Sequence, residues 1–251
     1  MKESVRRFSN RVENYVRYRP GYPPAVLSLF EGRMGLTSDS VVADIGSGPG
    51  ISSRLFLENG NPVYGVEPNA DMREAAGRLL GNLPNFHNWN GTAENTGLPD
   101  ASVDFIIAAQ AFHWFEPEAT QREFRRILKP GGWIALIWNE RQLDSTDFLR
   151  EYESFLLRYA NDYEQVRHEN ITEPVLEKFF GASFRRGAFP NVQILDFEGL
   201  RGRLLSSSYM PAEDDPAYIP MIAELKNLFA KHEESGKIKV FYDTNVFYCQ
   251  P

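Results

Sequence analysis

The chain has 251 residues, 42% of them hydrophobic, which suffices for one α/β domain or a core domain with a modest insertion. Its formal charge of -7 argues against a surface made to wrap a polyanion, because sequence-independent nucleic-acid binding rests on clustered Lys and Arg; the short pair Arg185 and Arg186 reads as a solvated loop. One cysteine, Cys249, leaves no internal disulfide to form and fits a reducing compartment.

The histidines His87, His113, His168 and His232 are scattered without zinc-ligand spacing, so no metal is expected. The start "MKESVRRFSN" has no signal-peptide core, and no apolar run is long enough to cross a membrane. A cytoplasmic protein with no membrane partner is the expectation, and the sequons at Asn90 and Asn170 are then chance matches.

Residues 1–37 read as an N-terminal arm. Nearly all-apolar runs then follow at Val41–Ala43, Val63–Val66, Phe105–Ala109 and Trp133–Trp138, and such runs suit strands buried on both faces; a shorter strand fits near Phe86–Trp89. Helix patterns lie between them at Ile51–Asn59, Ala70–Leu80 and Thr120–Leu128, closed by Gly60, Gly81 and "KPGG". This alternation over residues 38–139 predicts a doubly wound α/β sheet with ligands at the carboxyl ends of its strands.

Beyond Asn139 the rhythm changes. Residues 140–190 read as a helical insertion, with "FLREYESFLLRYANDYEQV" its clearest amphipathic stretch. In residues 191–251, Val192–Phe197 and Leu204–Ser208 look like strands, Ala217–Glu234 like a helix and Ile238–Cys249 like a closing strand. The whole reads as a single domain.

The chemistry concentrates at "VVADIGSGPGISS", residues 41–53. Glycines after a strand permit a sharp turn and close approach of a ligand to the backbone. A phosphate loop ends in Lys and Ser or Thr, and no lysine is present here. A dinucleotide fold prefers G-x-G-x-x-G, but Ile51 stands where the third glycine belongs. Asp44, at the end of the first strand, would repel a pyrophosphate and attract an ammonium or sulfonium. Glu67 ends the second strand 21 residues after Gly46, the spacing at which a carboxylate reaches ribose hydroxyls. Together these residues ask for an adenosine-like ligand with a positively charged tail and no phosphate, a description that S-adenosylmethionine meets.

That stretch, followed by "VYGVEPNADM", "GTAENTGLPDASVDFIIAAQAFHWF" and "EFRRILKPGGWIALI", resembles the class I S-adenosylmethionine-dependent methyltransferases, in particular the methyltransferase-11-like group, over residues 38–139. "YVRYRPGYP" and "AFHWF" are similar to the subgroup of trans-aconitate-methyltransferase-like proteins. The resemblance implies a Rossmann-like seven-stranded sheet, six strands parallel and the last antiparallel, with a helical insertion after strand 5. It also implies roles. Asp44 and the Gly46–Ser47–Gly48 backbone would meet the methionyl part of the cofactor, Glu67 the ribose, and Pro68, Asn69 and Met72 the adenosine. Ala93 and Glu94 would flank the adenine, with Glu94 in place of the Asp of many relatives. Ala109 and Gln110 would lie beneath the methionyl end, and Phe112, His113 and Trp114 would lead toward the acceptor, core packing being the alternative for the two aromatics.

Residues 15–22 are read either as a lid or as a docked arm, with Tyr15 and Tyr18 offering ring faces to the sulfonium and Arg19 pairing with the methionyl carboxylate. Methyl transfer needs alignment and water exclusion and no covalent protein nucleophile. A carboxylate acceptor requires no base; for a hydroxyl or ammonium, His113 is the candidate, with a structural hydrogen bond as its alternative role. For an acidic acceptor, Arg19, Arg141, Arg201 and Arg203 are candidate anchors. The expected partner is a small-molecule methyl acceptor, its pocket walled by residues 143–180 and 200–215, in a monomer or homodimer. The competing readings are a nicotinamide-dependent oxidoreductase and a fold-mate that binds S-adenosylmethionine without transferring methyl groups.

Overall fold

The computed structural model describes residues 12–161, 172–181 and 183–251. His168, Asn170 and the tail of the amphipathic stretch lie outside the described residues. A seven-stranded sheet organises the chain: β1 (Val42–Ile45), β2 (Val63–Val66), β3 (Phe86–Trp89), β4 (Val103–Ala109), β5 (Leu128–Arg141), β6 (Arg185–Leu195) and β7 (Ile238–Cys249). Their spatial order is β3-β2-β1-β4-β5-β7-β6. The strands β1 to β5 pair in parallel, and β7 is antiparallel to both β5 and β6, so six strands share one direction and β7 opposes them. The chain steps outward from β1 to β3 and then returns to lay β4 beside β1. That reversal opens a crevice beyond the carboxyl ends of β1 and β4, where doubly wound sheets hold ligands.

Burial follows the pleat. In β4, Ile106 and Ala108 join one core while Phe105, Ile107 and Ala109 join the other, so both faces of the strand are covered. One face is packed by α5 (Pro117–Ile127) and α7 (Glu173–Phe180), through Phe124, Ile127, Phe179 and Phe180. The other is packed by α2 (Ala25–Met34) and α3 (Ile51–Glu58), through Phe30 and Phe56, whose rings meet edge to face at 5.0 Å. The helix α4 (Ala70–Leu80) starts at Asn69, whose side chain accepts from the backbone N–H groups of Asp71 and Met72. The first described helix, α1 (Val12–Tyr18), rests on α4 through Val12, Met72 and Ala75.

A third core lies where β5, β6 and β7 overrun the parallel strands. It is built by α6 (Asp147–Tyr159), α8 (Phe197–Leu205) and α9 (Tyr218–His232) around Ile238, Val240 and Tyr242 of β7. Two expectations are corrected there. The strand β6 begins at Arg185, inside the stretch read as a helical insertion. It is an edge strand paired on one side only, so its residues are half-exposed and it tolerates Pro190, which hides it from an apolar-run search. Leu204–Ser208 is no strand: Asp196 caps a helix by accepting from Gly199 N–H, and Leu200 and Leu204, one turn apart, enter the third core. Among the described residues no helix is long and apolar enough to cross a membrane.

Candidate active site

A cavity of about 730 Å³ opens beyond the carboxyl ends of β1, β2, β4 and β5. Its first wall is the turn after β1. Gly46, Gly48 and Gly50 all adopt left-handed backbone, with φ of 70°, 55° and 88°. A Cβ on Gly46 would stand 2.7 Å from the Ala111 Cβ, and one on Gly50 would collide with the Leu80 side chain; at Gly48 the space is open. The outer glycines let the turn lie against the segment that follows β4 and against α4, while the middle one keeps backbone bare on the cavity side. Gly50 thus meets, one residue early, the packing need that G-x-G-x-x-G assigns to its third glycine.

The turn is tied to β2. Gly46 and Ser47 donate their N–H groups to the Val66 carbonyl. Glu67 accepts from Gly48 N–H through Oε2 at 3.0 Å and from Asn69 N–H through Oε1 at 2.8 Å. Burial pushes the Glu67 carboxyl above its ordinary value, opposed by those two backbone hydrogen bonds. Each carboxylate oxygen still has a lone pair for a ligand hydroxyl.

Asp44 sits behind the turn, fully buried and outside the residues that line the cavity. Its Oδ2 accepts from the Ser52 and Ser53 hydroxyls, both at 2.6 Å, while Oδ1 is buried without a hydrogen-bond partner. Burial drives its carboxyl up to about 6 against the pull of the serine hydroxyls. Ser52 does line the cavity.

Pro68, Asn69, Met72, Ala93, Glu94, Ala109, Gln110 and His113 also line it, as do Gly46, Ser47, Gly48 and Glu67. Glu94 uses its extra methylene to accept from Glu116 N–H at 3.0 Å, at the cap of α5. Gln110, directly after β4, has φ 55°, a left-handed conformation that costs a non-glycine residue about 1–3 kcal/mol. It is held by its own N–H to Ile137 O and by its amide to Asn139 O. The 3-10 turn Phe112–Trp114 divides the three residues read together: Phe112 packs on Phe179 with centroids 4.4 Å apart, while His113 and Trp114 face the cavity with their rings 4.8 Å apart.

The arm contributes differently from expectation. Tyr18 does not line the cavity; its ring lies against α8 so closely that a Cβ on Gly202 would overlap it, and its carbonyl accepts from Gln193. A glycine in α8 is what lets α1 dock, and docking turns Tyr18 away. Tyr15 does line the cavity, but its ring is covered by the Arg19 guanidinium at 4.8 Å. Arg19 also donates to Ser206 O at 3.0 Å and to Ser207 Oγ at 3.4 Å.

Of the other arginines, Arg141 and Arg203 reach the cavity and Arg201 does not, being held by Glu198 and the Tyr218 hydroxyl. Arg141 is ion-paired with Glu153 and lies over Tyr152. Tyr22, Asn139, Ser208, Tyr209 and Tyr242 line the cavity without having been singled out in the sequence. Tyr22 carried a signal as the last residue of "YVRYRPGY", and Ser208 and Tyr209 fall in the 200–215 segment expected to wall the acceptor pocket; Asn139 and Tyr242 come from β5 and β7, brought in by topology. Among the described residues no group of three or more His, Cys, Asp or Glu is placed to hold a metal ion.

Comparison with known proteins agrees with this geometry. Residues 43–136 match the family model described as a methyltransferase domain. An uncharacterized methyltransferase-like protein of Schizosaccharomyces pombe is 27% identical over 250 residues, covering 97% of this chain and 94% of that protein. An uncharacterized methyltransferase of Mycobacterium tuberculosis is 36% identical over 134 residues, 53% of this chain and 52% of its own length. A solved structure from Anaeromyxobacter dehalogenans, proposed to be a type II methyltransferase, shares the fold with a TM-score of 0.73 at 23% identity, over 93% of this chain and 98% of that one. The chain is thus similar to methyltransferases, through a methyltransferase domain over residues 43–136 and a fold shared over nearly its whole length.

Proposed function

We propose that this methyltransferase takes its methyl group from S-adenosylmethionine and passes it to an oxygen or nitrogen of a small-molecule acceptor, carboxylate oxygen included. The observation that carries the reading is the glycine turn: bare backbone at Gly48 faces the cavity, and the Glu67 carboxylate is locked beside it. The described residues fit the donor on chemical grounds. Asp44, with Oδ1 unpartnered, puts negative potential behind the turn, which favours an ammonium and opposes a pyrophosphate. Ser52 is the side chain through which Asp44 reaches the cavity wall.

In this reading Glu67 holds the ribose hydroxyls, and Pro68, Asn69 and Met72 pack beside the adenosine. Ala93 and Glu94 flank the adenine. Arg19 takes the methionyl carboxylate, which leaves Tyr15 as the support of that guanidinium. Ala109 and the strained Gln110 form the floor under the methionyl end. S-Adenosylmethionine supplies a methyl carbon already activated on a sulfonium, so the protein's own work is to align the acceptor atom in line and exclude water. A carboxylate acceptor loses no proton. A hydroxyl or ammonium does, and His113, at the entrance to the acceptor side, takes it.

Two measurements test this. Calorimetric titration is expected to give saturable binding of S-adenosylmethionine and none of NADH; binding of NADH alone contradicts the reading. His113→Ala is expected to lower turnover on a hydroxyl or amine acceptor by about 100-fold or more with cofactor affinity unchanged. Unchanged turnover on such an acceptor removes His113 from the chemistry.

A further inference from the structure

Two amide side chains of an edge strand hold the arm to the sheet. In β6, Gly187, Phe189, Asn191 and Gln193 alternate along the strand and so share one face. The first two pack: a Cβ on Gly187 would stand 3.0 Å from Leu29 of α2, and Phe189 joins the core around Phe30. The last two donate to backbone of the arm. Asn191 Nδ2 donates to Gly21 O at 2.9 Å, and Gln193 Nε2 donates to Tyr18 O at 3.0 Å. Tyr18 ends α1, so its carbonyl has no partner within that helix.

Neither amide lines the cavity, but each is tied to residues that do. Asn191 Nδ2 also donates to Asn139 Oδ1 at 3.1 Å; Asn139 itself donates to Gly21 O at 3.1 Å, and its backbone carbonyl accepts from the Gln110 amide. Gln193 Oε1 accepts from the Tyr242 hydroxyl at 2.9 Å, to which Arg203 Nε donates at 3.4 Å. The arm, the floor at Gln110 and the wall at Tyr242 are thus joined through one strand at the edge of the sheet.

The two clamped carbonyls bracket Arg19, one residue before it and two after. The backbone from which its guanidinium extends is therefore fixed at both ends, while the head rests on the Tyr15 ring at 4.8 Å and donates to Ser206 O at 3.0 Å. That guanidinium belongs to the arginine side of the cavity, with Arg141 and Arg203. A charged group held in place before its ligand arrives loses less freedom when the ligand binds. We infer that Asn191 and Gln193 are positioning residues for the donor: by holding Gly21 O and Tyr18 O they set the arm, and through it Arg19, for the amino-acid tail of S-adenosylmethionine. This inference rests on the donor reading above and adds to it two residues that do not touch the ligand. The clamp needs N–H donors. Gln193→Glu and Asn191→Asp keep the side-chain volume and turn an oxygen toward each arm carbonyl.

The test is a calorimetric titration with two ligands: S-adenosylhomocysteine, which carries the amino-acid tail, and methylthioadenosine, which has the same nucleoside and sulfur but no tail. The double variant of Gln193→Glu and Asn191→Asp is expected to bind S-adenosylhomocysteine about tenfold or more weakly, and methylthioadenosine as the wild type does. In an Arg19→Gln background the same two changes are expected to add little, since the group they position is gone. Amide hydrogen exchange over residues 15–22 is expected to quicken in the double variant. Gln193→Ala and Asn191→Ala, which remove the donors without adding charge, serve where the double variant does not fold, as judged by its thermal midpoint. Equal weakening of both ligands, unchanged affinity for both, full additivity with Arg19→Gln, or unchanged exchange overturns the inference and leaves the donor reading standing. Wild-type protein that binds neither ligand overturns the donor reading itself, and the inference falls with it, so the two failures are distinguishable.

Discussion

The two halves of the cavity are made in different ways. The half beyond β1 and β2 is made of backbone: left-handed glycines, N–H groups tied to Val66 and Glu67, and a helix cap at Asn69, all within 27 residues of one another between Val42 and Asn69. The half beyond β5 is made of side chains from α1, β5, α8, the loop after it and β7, elements separated by up to about the whole chain. A backbone-made site tolerates few residue types and so leaves a motif in the sequence. A side-chain-made site depends on which elements the topology brings together, and its residues change with the molecule to be held. In the proposed reading the common task of holding the donor is written locally, and the particular task of holding the acceptor is not.

If that contrast is right, the largest effect belongs to the packed glycines. Gly46→Ala puts a Cβ 2.7 Å from Ala111 in a left-handed backbone, and a loss of about 2–4 kcal/mol in unfolding free energy is expected by chemical denaturation. Gly48→Ala meets no neighbour and is expected to lose only about 1 kcal/mol while weakening cofactor binding. Equal stability losses at the two positions would break the distinction between the glycine that packs and the one that faces the ligand.

Next in size is the pH response of Asp44, whose folded carboxyl sits near 6 against an ordinary 3.8. The folded state binds this proton more tightly than the unfolded one. Its contribution is therefore greatest below 3.8 and declines as pH rises, to a loss of about 3 kcal/mol above 6. Subtracting the stability profile of Asp44→Asn, which cannot titrate, isolates it. Cofactor affinity runs the other way: an ammonium prefers the ionised carboxylate, so S-adenosylmethionine should bind more weakly as pH falls below 6, and Asp44→Asn should flatten that trend. A wild-type affinity independent of pH between 5 and 7 would sink the electrostatic role.

Glu67→Gln is expected to cost about 1–3 kcal/mol in cofactor binding, because an amide nitrogen then faces a backbone donor at Gly48 or Asn69. Gly202→Ala reaches both halves indirectly. Its Cβ displaces the Tyr18 ring and undocks α1, which carries Tyr15 and leads into Arg19, so the apparent affinities for donor and acceptor should both fall, read as separate KM values. An unchanged donor KM would mean that Arg19 does not hold the donor.

The sequence carried the donor half well because strong local rules act there. Ala70–Leu80 runs from an Asn cap to a glycine, and Val63–Val66 is bounded as its apolar run suggests. Buried parallel strands cannot be much else. The direction of Tyr18 was not legible, since it depends on a missing Cβ in a helix 184 residues away, at Gly202. Nor was β6, whose edge position frees it from a hydrophobic pattern, nor the α8 helix, whose two glycines and short length mask the Asp196 cap. Asp44 was legible as a residue but not in its placement: its carboxylate faces Ser52 and Ser53 rather than the cavity.

The most direct test of the donor assignment is a crystal structure with S-adenosylhomocysteine bound. The expected result is the amino-acid tail over the Gly46–Gly48 backbone, ribose hydroxyls on Glu67, and the sulfur directed toward His113 and the arginine side of the cavity. A ligand seated elsewhere, or with its ribose away from Glu67, would contradict the account.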